Sequence, residues 1–505
     1  MKHNYRMLID GKLVGLADGL VSSGDSADSS GDSTDSSGDS TDNANNSIDV
    51  FNPANGELIA RVPQINSAQI KQVIAAADKG FAQWSATSLA ERSELILRWA
   101  ELLQAKREDI IAVLISETGK PYDNADYDFG MLITCLKFFV EEAARTDQPT
   151  ISDPDGRFLH YIRRQPLGVV VGYLAWNFPL LNLGYKLGPS LASGCAAIVK
   201  PSAETPLASL LCAELALEAG IPAGVINVIT GDRYDITDPL LTSKSTAMFT
   251  MIGSTRSGVA AMKTACSSVK RFSLELGGNA PVVVYDDADL EKAVNDIVDL
   301  KFANSGQVCV SPNRCFVHER IYDKFLEQAK ARAEGIVLQA GSGEGRKMGP
   351  LINDRARDTI VSNIQASLDA GAALVTGGQI PAEKSAGSWL QPTILKDVSL
   401  DMPIACDEIF GPVLPVIKFS DSDDVIALAN DNVYGLAAYV YTSQLQRAMQ
   451  AAEQIQAGSV CINEVHYAVH LPHGGLKQSG VGKDCSHYSL EEYLTLKRVS
   501  VLINE

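Results

Sequence analysis

The residues able to do covalent chemistry gather in a few short stretches. Asn304-Ser305-Gly306-Gln307-Val308-Cys309 offers a thiol on a glycine-punctuated loop, and Phe272-Ser273-Leu274-Glu275-Leu276-Gly277-Gly278 offers a carboxylate that could serve as its base. A single cysteine is more often a small buried hydrophobe than a nucleophile, so the reading depends on its company. Gly172-Tyr173-Leu174-Ala175-Trp176-Asn177-Phe178-Pro179 places an amide, Asn177, just beyond an apolar strand, and Asp407-Glu408-Ile409-Phe410-Gly411-Pro412 places a second acid on a turn. A thiol, a base and an amide donor are the groups needed to add to a carbonyl, hold the resulting oxyanion and hydrolyse the adduct.

Such groups need a scaffold, and the chain is long enough to supply one. At 505 residues it exceeds a single core, so two or three domains are expected. A hydrophobic content of 46% with 21% charged residues describes an ordinary globular protein. No apolar run reaches the roughly 18 residues of a membrane span, and the basic start lacks the apolar stretch of a signal peptide. The net charge of −18 argues against nucleic acid as a partner. Nine scattered cysteines without a CxxC pair fit a reducing, cytoplasmic location.

Residues 22–42 repeat a seven-residue Ser/Gly/Asp unit three times. With nothing apolar larger than alanine, burial cannot offset the entropy of ordering them. They lack the apolar anchor of calcium-binding repeats, so 22–46 reads as a disordered acidic insertion at the tip of a hairpin formed by residues 5–14 and 50–56. Helical periodicity follows over 70–81 and 90–103. From Pro166 onward, strands at 169–174, 196–200, 225–229, 247–252 and 271–276 alternate with helices, and a second alternating series starts at Val282. The spacing predicts an α/β architecture of two parallel-sheet domains. No GxGxxG is present, and Gly253-Ser254-Thr255, after a strand and opening a helix, is the stretch suited to a pyrophosphate.

Trp176-Asn177-Phe178-Pro179, Lys200-Pro201-Ser202, Gly253-Ser254-Thr255, Glu275-Leu276-Gly277-Gly278, Gly306-Gln307-Val308-Cys309 and Glu408-Ile409-Phe410-Gly411-Pro412, in this order, resemble the NAD(P)-dependent aldehyde dehydrogenase superfamily from about Asn52 to the C-terminus. The resemblance implies that the dinucleotide-binding domain spans 1–144 and 167–277 and the catalytic domain 278–485. Residues 145–166 and 486–505 would be strands of a small β oligomerisation element in a homodimer or homotetramer. It implies Cys309 as nucleophile, Asn177 as oxyanion donor and Glu275 as the base for thioester hydrolysis. Trp176, Lys200, Ser202, Ala203, Gly253, Ser254, Glu408 and Phe410 would contact NAD or NADP, and Asp484 matches an acid suggested to relay protons. Ala175 and Ile252 depart from the family's usual proline and threonine. Without the resemblance, an acid beside a C-terminal turn reads as solvated.

The expected reaction is oxidation of an aliphatic aldehyde to the carboxylate. Glu275 argues against a coenzyme A-acylating enzyme, which lacks that acid, and the retained groups argue against a scaffold that has lost its chemistry. Substrate contacts are assigned to Tyr185, Val308, Val310 and His473. Succinate-semialdehyde dehydrogenases carry carboxylate-binding arginines where this chain has Tyr185 and Ala303, whereas the stretch from Pro472 to Asp484 resembles aminobutyraldehyde and betaine-aldehyde dehydrogenases. A neutral or ω-amino aldehyde is therefore expected, with succinate semialdehyde as the alternative. Ala203, three residues beyond Lys200 where NAD-preferring members carry a glutamate, leaves space for a 2′-phosphate and favours NADP. His466, His470 and His473 are not read as a metal site, because Pro472 and Gly474-Gly475 break any helix there and no acid or cysteine completes a zinc set.

Overall fold

The computed structural model describes residues 3–16 and 47–504, so the acidic repeat lies outside the described residues. The strands on either side of it belong to different hairpins. Met7–Ile9 pairs with Lys12–Val14, and Ser47–Phe51 pairs with Leu58–Pro63. The repeat therefore joins two hairpins, where a single interrupted one was expected. The helices expected at 70–81 and 90–103 extend to Ser67–Trp84 and Leu89–Ala105. Asn66 and Ser88 cap their N-termini, each side chain accepting a backbone N–H. Two further helices, Arg107–Thr118 and Tyr122–Ala144, were not anticipated. The first stops at Gly119, whose left-handed φ of 70° ends a helix at little steric cost.

The first sheet has eight strands. Its parallel core runs Ile226–Val228, Ala196–Lys200, Val169–Tyr173, Thr246–Ile252 and Arg271–Glu275. Val169–Tyr173 comes first in the chain but lies in the middle, so the order reverses between it and Thr246–Ile252. A crevice opens at the carboxyl ends of strands where such a reversal occurs. At one edge Met7–Ile9 joins antiparallel. At the other, Gly480–Val481, from late in the chain, pairs antiparallel with Leu274 and Glu275. That last pairing ties the C-terminal segment to the strand ending at Glu275.

The second sheet has seven strands, with Ser459–Ile462 at one edge and Ala373–Thr376, its antiparallel member, at the other. A third sheet pairs Leu494–Leu502 with Phe158–Pro166 over their whole length, with Thr150–Ile151 alongside. A turn around Ser152–Gly156 joins Thr150–Ile151 to Phe158–Pro166, with Gly156 N–H donating to Asp153 C=O. Among the described residues no helix is long and apolar enough to cross a membrane.

A buried acid fixes one helix of the first core. Glu117, 0% exposed, accepts the N–H groups of Leu207 and Ala208 at 2.7 and 3.0 Å, where helix Leu207–Glu218 begins without a capping side chain at Pro206. Burial pushes its carboxyl up to about 8, although the two N–H groups and nearby Lys120 pull the other way. Glu117→Ala would leave both donors unpaired inside the core, at about 1–3 kcal/mol each. We expect a clear fall in the denaturation midpoint for Glu117→Ala and a smaller one for Glu117→Gln, which keeps one acceptor. Equal midpoints for Glu117→Ala and the wild type would refute the capping role.

Candidate active site

The crevice at the strand reversal collects most of the chemistry foreseen in the sequence. A cavity of about 250 Å³ there is lined by Trp176, Asn177, Gly253, Ser254, Glu275, Cys309, Glu408 and Phe410. Trp176 and Asn177 follow the strand Val169–Tyr173, Gly253 and Ser254 follow Thr246–Ile252, and Glu275 ends its own strand. Cys309, Glu408 and Phe410 arrive from the other side, on loops among the strands of the second sheet.

The cysteine loop has a tightly specified backbone. Asn304, Ser305 and Gly306 have successive φ values of 48°, 59° and 71°. Asn304 and Ser305 hold this strained conformation through their side chains: Asn304 Nδ2 donates to the carbonyls of Asn177 and Gln307, and Ser305 Oγ donates to that of Gly349. Gly306 is needed for space as well, because a Cβ there would lie 2.1 Å from the Gly411 carbonyl oxygen. Asn177 Nδ2 donates to the Gln307 carbonyl at 3.1 Å, bringing its amide to the turn that presents Cys309.

At the centre, the Cys309 thiol donates to Glu275 Oε1 at 2.9 Å. The same oxygen accepts from His473 Nε2 at 3.0 Å. Burial raises the Cys309 thiol well above its ordinary range, and the neighbouring Glu275 carboxylate adds to that shift. Burial also pushes the Glu275 carboxyl up, but the charge and hydrogen bond of His473 outweigh it, with help from Cys309 and Lys186, and hold it low. His473 was expected to contact the substrate, and it does line the neighbouring cavity, yet its side-chain hydrogen bond is with Glu275. The Sγ of Cys309, a carboxylate oxygen of Glu275 and a ring nitrogen of His473 lie within 4.8 Å of one another. The folded chain thus brings an acid and a cysteine to this histidine that sequence proximity did not reveal.

Asp484 departs from the solvated reading. It is 3% exposed, and both its oxygens accept from Lys186 Nζ at 2.7 Å. Its carboxyl is pushed up by burial, against the pull of Lys186. Its backbone also pairs with His473, N–H to C=O in both directions. The sequence reading gave Lys186 no role. A lysine inside the apolar helix Pro179–Ser193 is the signal that could have found it, since such a group stays buried only with a partner.

A second cavity, about 370 Å³, lies beyond His473 and is lined by Tyr185, Cys461, His466, Tyr467, His473 and Cys485 among others. Tyr185 and Tyr467 flank the His473 ring at centroid distances of 6.3 and 5.8 Å. Val308 and Val310 line neither cavity. Val310 is buried in the core of the second sheet and Val308 packs against it, because this turn directs both apolar side chains inward.

Lys200, Ser202 and Ala203 are also outside the first cavity's lining. Lys200 Nζ donates to the Gly231 carbonyl at 3.2 Å and lies over the Tyr173 ring at 4.7 Å, and burial lowers it to about 8. Glu204 is turned toward Asn353, which donates to it at 3.0 Å. The first cavity suits a dinucleotide's reactive end. Ser254 caps a helix there by accepting the Ser257 N–H, and Glu408 accepts the Gly278 N–H at 3.0 Å. Trp176 and Phe410 meet edge-on with centroids 5.2 Å apart. A Cβ on Gly277 would lie 2.7 Å from Glu408 Oε2, so the missing side chain keeps this wall open.

The profile of the aldehyde dehydrogenase family matches residues 40–499. The chain is 41% identical over 456 residues to a mitochondrial succinate-semialdehyde dehydrogenase of Arabidopsis thaliana, covering 89% of this chain and 85% of that protein. It is 38% identical to a 3-sulfolactaldehyde dehydrogenase of Pseudomonas putida, covering 89% and 92%. Among solved structures, a succinate-semialdehyde dehydrogenase from Burkholderia pseudomallei superposes with a TM-score of 0.88 at 37% identity, covering 90% and 95%. An NADP-dependent enzyme of E. coli superposes with a TM-score of 0.91 at 34% identity, covering 99% and 98%. With the two α/β units and the strand-end cavity, these matches establish that the chain belongs to the aldehyde dehydrogenase family and is an oxidoreductase that oxidises an aldehyde with NAD or NADP.

Proposed function

We propose that the chain oxidises a neutral or ω-amino aliphatic aldehyde to its carboxylate through Cys309. The thiolate of Cys309 adds to the carbonyl carbon, and Asn177 Nδ2 with the Cys309 N–H holds the oxyanion. Trp176, Gly253, Ser254, Glu408 and Phe410 hold the nicotinamide coenzyme, which when bound accepts the hydride. The thioester left on Cys309 is then attacked by water whose proton passes to Glu275, releasing the acid and the thiolate. Residues 1–144 and 167–277 would carry the coenzyme and 278–485 the nucleophile. The nine free cysteines are consistent with a cytoplasmic location.

The observation that carries the substrate class is the lining of the second cavity, which contains no lysine or arginine. One of its two tyrosines, Tyr185, stands where the resemblance places a carboxylate-binding arginine. Lys186, the next residue, is buried and fully engaged by Asp484. The acid in the lining, Glu464, is paired with Lys292 at 3.0 Å. A desolvated substrate carboxylate would therefore lack an ion-pair partner, at a cost of several kcal/mol, roughly. The alternative rests on the relatives, whose names include succinate-, glutarate- and sulfolactaldehyde dehydrogenases. For the coenzyme, uncharged Ala203 and the diversion of Glu204 to Asn353 favour NADP.

The assembly is proposed to be a homodimer or homotetramer. The third sheet exposes apolar side chains, with Leu496 67% and Leu502 51% exposed, and Ser459–Ile462 forms an outer strand of the second sheet. Exposed apolar surface and unpaired strand edges of this kind are usually covered.

Cys309→Ala is expected to abolish oxidation while coenzyme binding persists, and Glu275→Gln to slow turnover more than the initial burst of reduced coenzyme. Substantial dehydrogenase activity in Cys309→Ala would rule out the nucleophile. In an aldehyde panel run with both coenzymes, ω-amino and neutral aldehydes should give the highest kcat/KM, and NADP⁺ should serve at least as well as NAD⁺. An advantage of about tenfold for succinate semialdehyde, roughly 1.4 kcal/mol, would favour the alternative, and the same margin for NAD⁺ would reverse the coenzyme preference. Light scattering at micromolar concentration should give at least twice the chain mass of 54.0 kDa, whereas a monomer mass would refute assembly.

A further inference from the structure

The Glu275–His473 contact asks more of the histidine than lining a mouth. Glu275 is 5% exposed, and among the described contacts its Oε1 is held by two donors, Cys309 Sγ and His473 Nε2. These two donors are not equivalent through the proposed reaction, on which this inference rests. Once Cys309 carries the acyl group as a thioester, its sulfur has no proton to donate. Of the two hydrogen bonds on that oxygen, only the one from His473 then remains, at the stage when Glu275 must direct a water molecule.

The ring is built to stay in place. The His473 backbone is fixed against Asp484 by reciprocal hydrogen bonds of 2.8 and 2.7 Å, and Tyr185 and Tyr467 flank the imidazole. We propose that His473 is a positioning residue for Glu275, and that the proton on its ring decides whether Glu275 is clamped as half of an ion pair or free to take a proton from water. With the ring charged, the carboxylate is oriented but is a weak base. With the ring neutral, its remaining N–H still orients Oε1 while the opposing charge is gone. In the step that follows, water oxygen bonds to the thioester carbon, its proton passes to Glu275, and the C–S bond breaks to release the Cys309 thiolate.

The charged groups around the ring set the sign of the pH dependence. Burial pushes the His473 ring down, but the Glu275 carboxylate, by charge and hydrogen bond, together with Asp484, outweighs it and raises the ring overall. Lys186 opposes them. Cys309 reaches the cluster from the cysteine loop, Tyr185 from the helix Pro179–Ser193, Tyr467 from the loop before Pro472, and Cys485 from beside Asp484. The proton is therefore retained to higher pH than on a free histidine, whose pKa is about 6.5. Since the two groups interact strongly, the step observed belongs to the pair. Hydrolysis of the thioester should be slow below that step and rise through it.

Stopped-flow measurement of reduced coenzyme from about pH 5.5 to 9.5 separates the burst, which reports hydride transfer, from the later phase, which reports thioester hydrolysis. If no burst is visible, hydrolysis of an aryl ester, which acylates Cys309 without hydride transfer, reads the same step. In the wild type the later phase should rise through a single step above about pH 6.5, and the burst rate should not follow it. His473→Gln, which keeps a donor without a titrating ring, should retain the later rate within about threefold and lose the step. His473→Phe should slow the later phase by about tenfold or more, clearly more than it slows the burst. A step that persists in His473→Gln, or equal loss of both phases in both variants, would overturn the proposal. A wild type that reduces neither coenzyme with any aldehyde would overturn the functional reading itself, whereas an active wild type with an unmoved step overturns only the role of His473.

Discussion

One carboxylate oxygen shared between a thiol and an imidazole is the constraint around which this molecule is arranged. Taking a carboxylate out of water costs several kcal/mol even after relaxation, and Glu275 is almost fully buried. It is tolerated there because Cys309 and His473 both donate to it and because Lys186 stands nearby. Lys186 is buried in its turn and would be intolerable without Asp484. Two acids, a lysine, a histidine and a cysteine from four separate stretches of chain thus form one charge-balanced cluster. Removing any one of them would leave a neighbour with one hydrogen-bond or charge partner fewer.

The topology makes this cluster possible. Glu275 ends a parallel strand, where α/β sheets collect their functional groups. The segment carrying His473 and Asp484 is brought beside it when Gly480–Val481 pairs with Leu274 and Glu275 at the sheet edge. Lys186 arrives on the helix that follows Asn177, so the element presenting the amide also anchors Asp484. Cys309 comes from the second α/β unit on a turn whose left-handed residues are fixed by side-chain hydrogen bonds. The cluster also lies between the two cavities: Glu275 and Cys309 line the first, and His473 lines the second.

That arrangement divides the labour between two chambers. On one side, a helix N-terminus, a buried acid and two aromatic rings suit a flat, charged coenzyme. On the other, tyrosines, histidines and cysteines together with Val460, Ile462 and Leu471 make a mixed polar and apolar chamber with no lysine or arginine among its lining residues. The chain shares its fold with relatives named for acid-ended aldehydes, yet the lining of its second cavity holds no lysine or arginine.

Local order and local chemistry were legible in the chain itself. The alternation of apolar strands and helices after Pro166 specified parallel sheets, because each periodicity buries one face against a neighbour. The helices expected at 70–81 and 90–103 lie within Ser67–Trp84 and Leu89–Ala105. The thiol, the acids at 275 and 408 and the amide at 177 were identifiable because each stands in a short motif that can be read locally, Gly306–Cys309, Glu275–Gly278, Glu408–Pro412 and Trp176–Pro179. Long-range pairing could not be read this way. Nothing near Asp484 in sequence announces Lys186, and nothing near His473 announces Glu275, since each contact spans about 200 residues or more. Whether Asp484 is solvated or buried, and whether His473 lines a mouth or grips a carboxylate, depended on which elements the sheet edge brought together. Burial then decided the chemistry, because a charged group removed from water must find a partner wherever the fold supplies one.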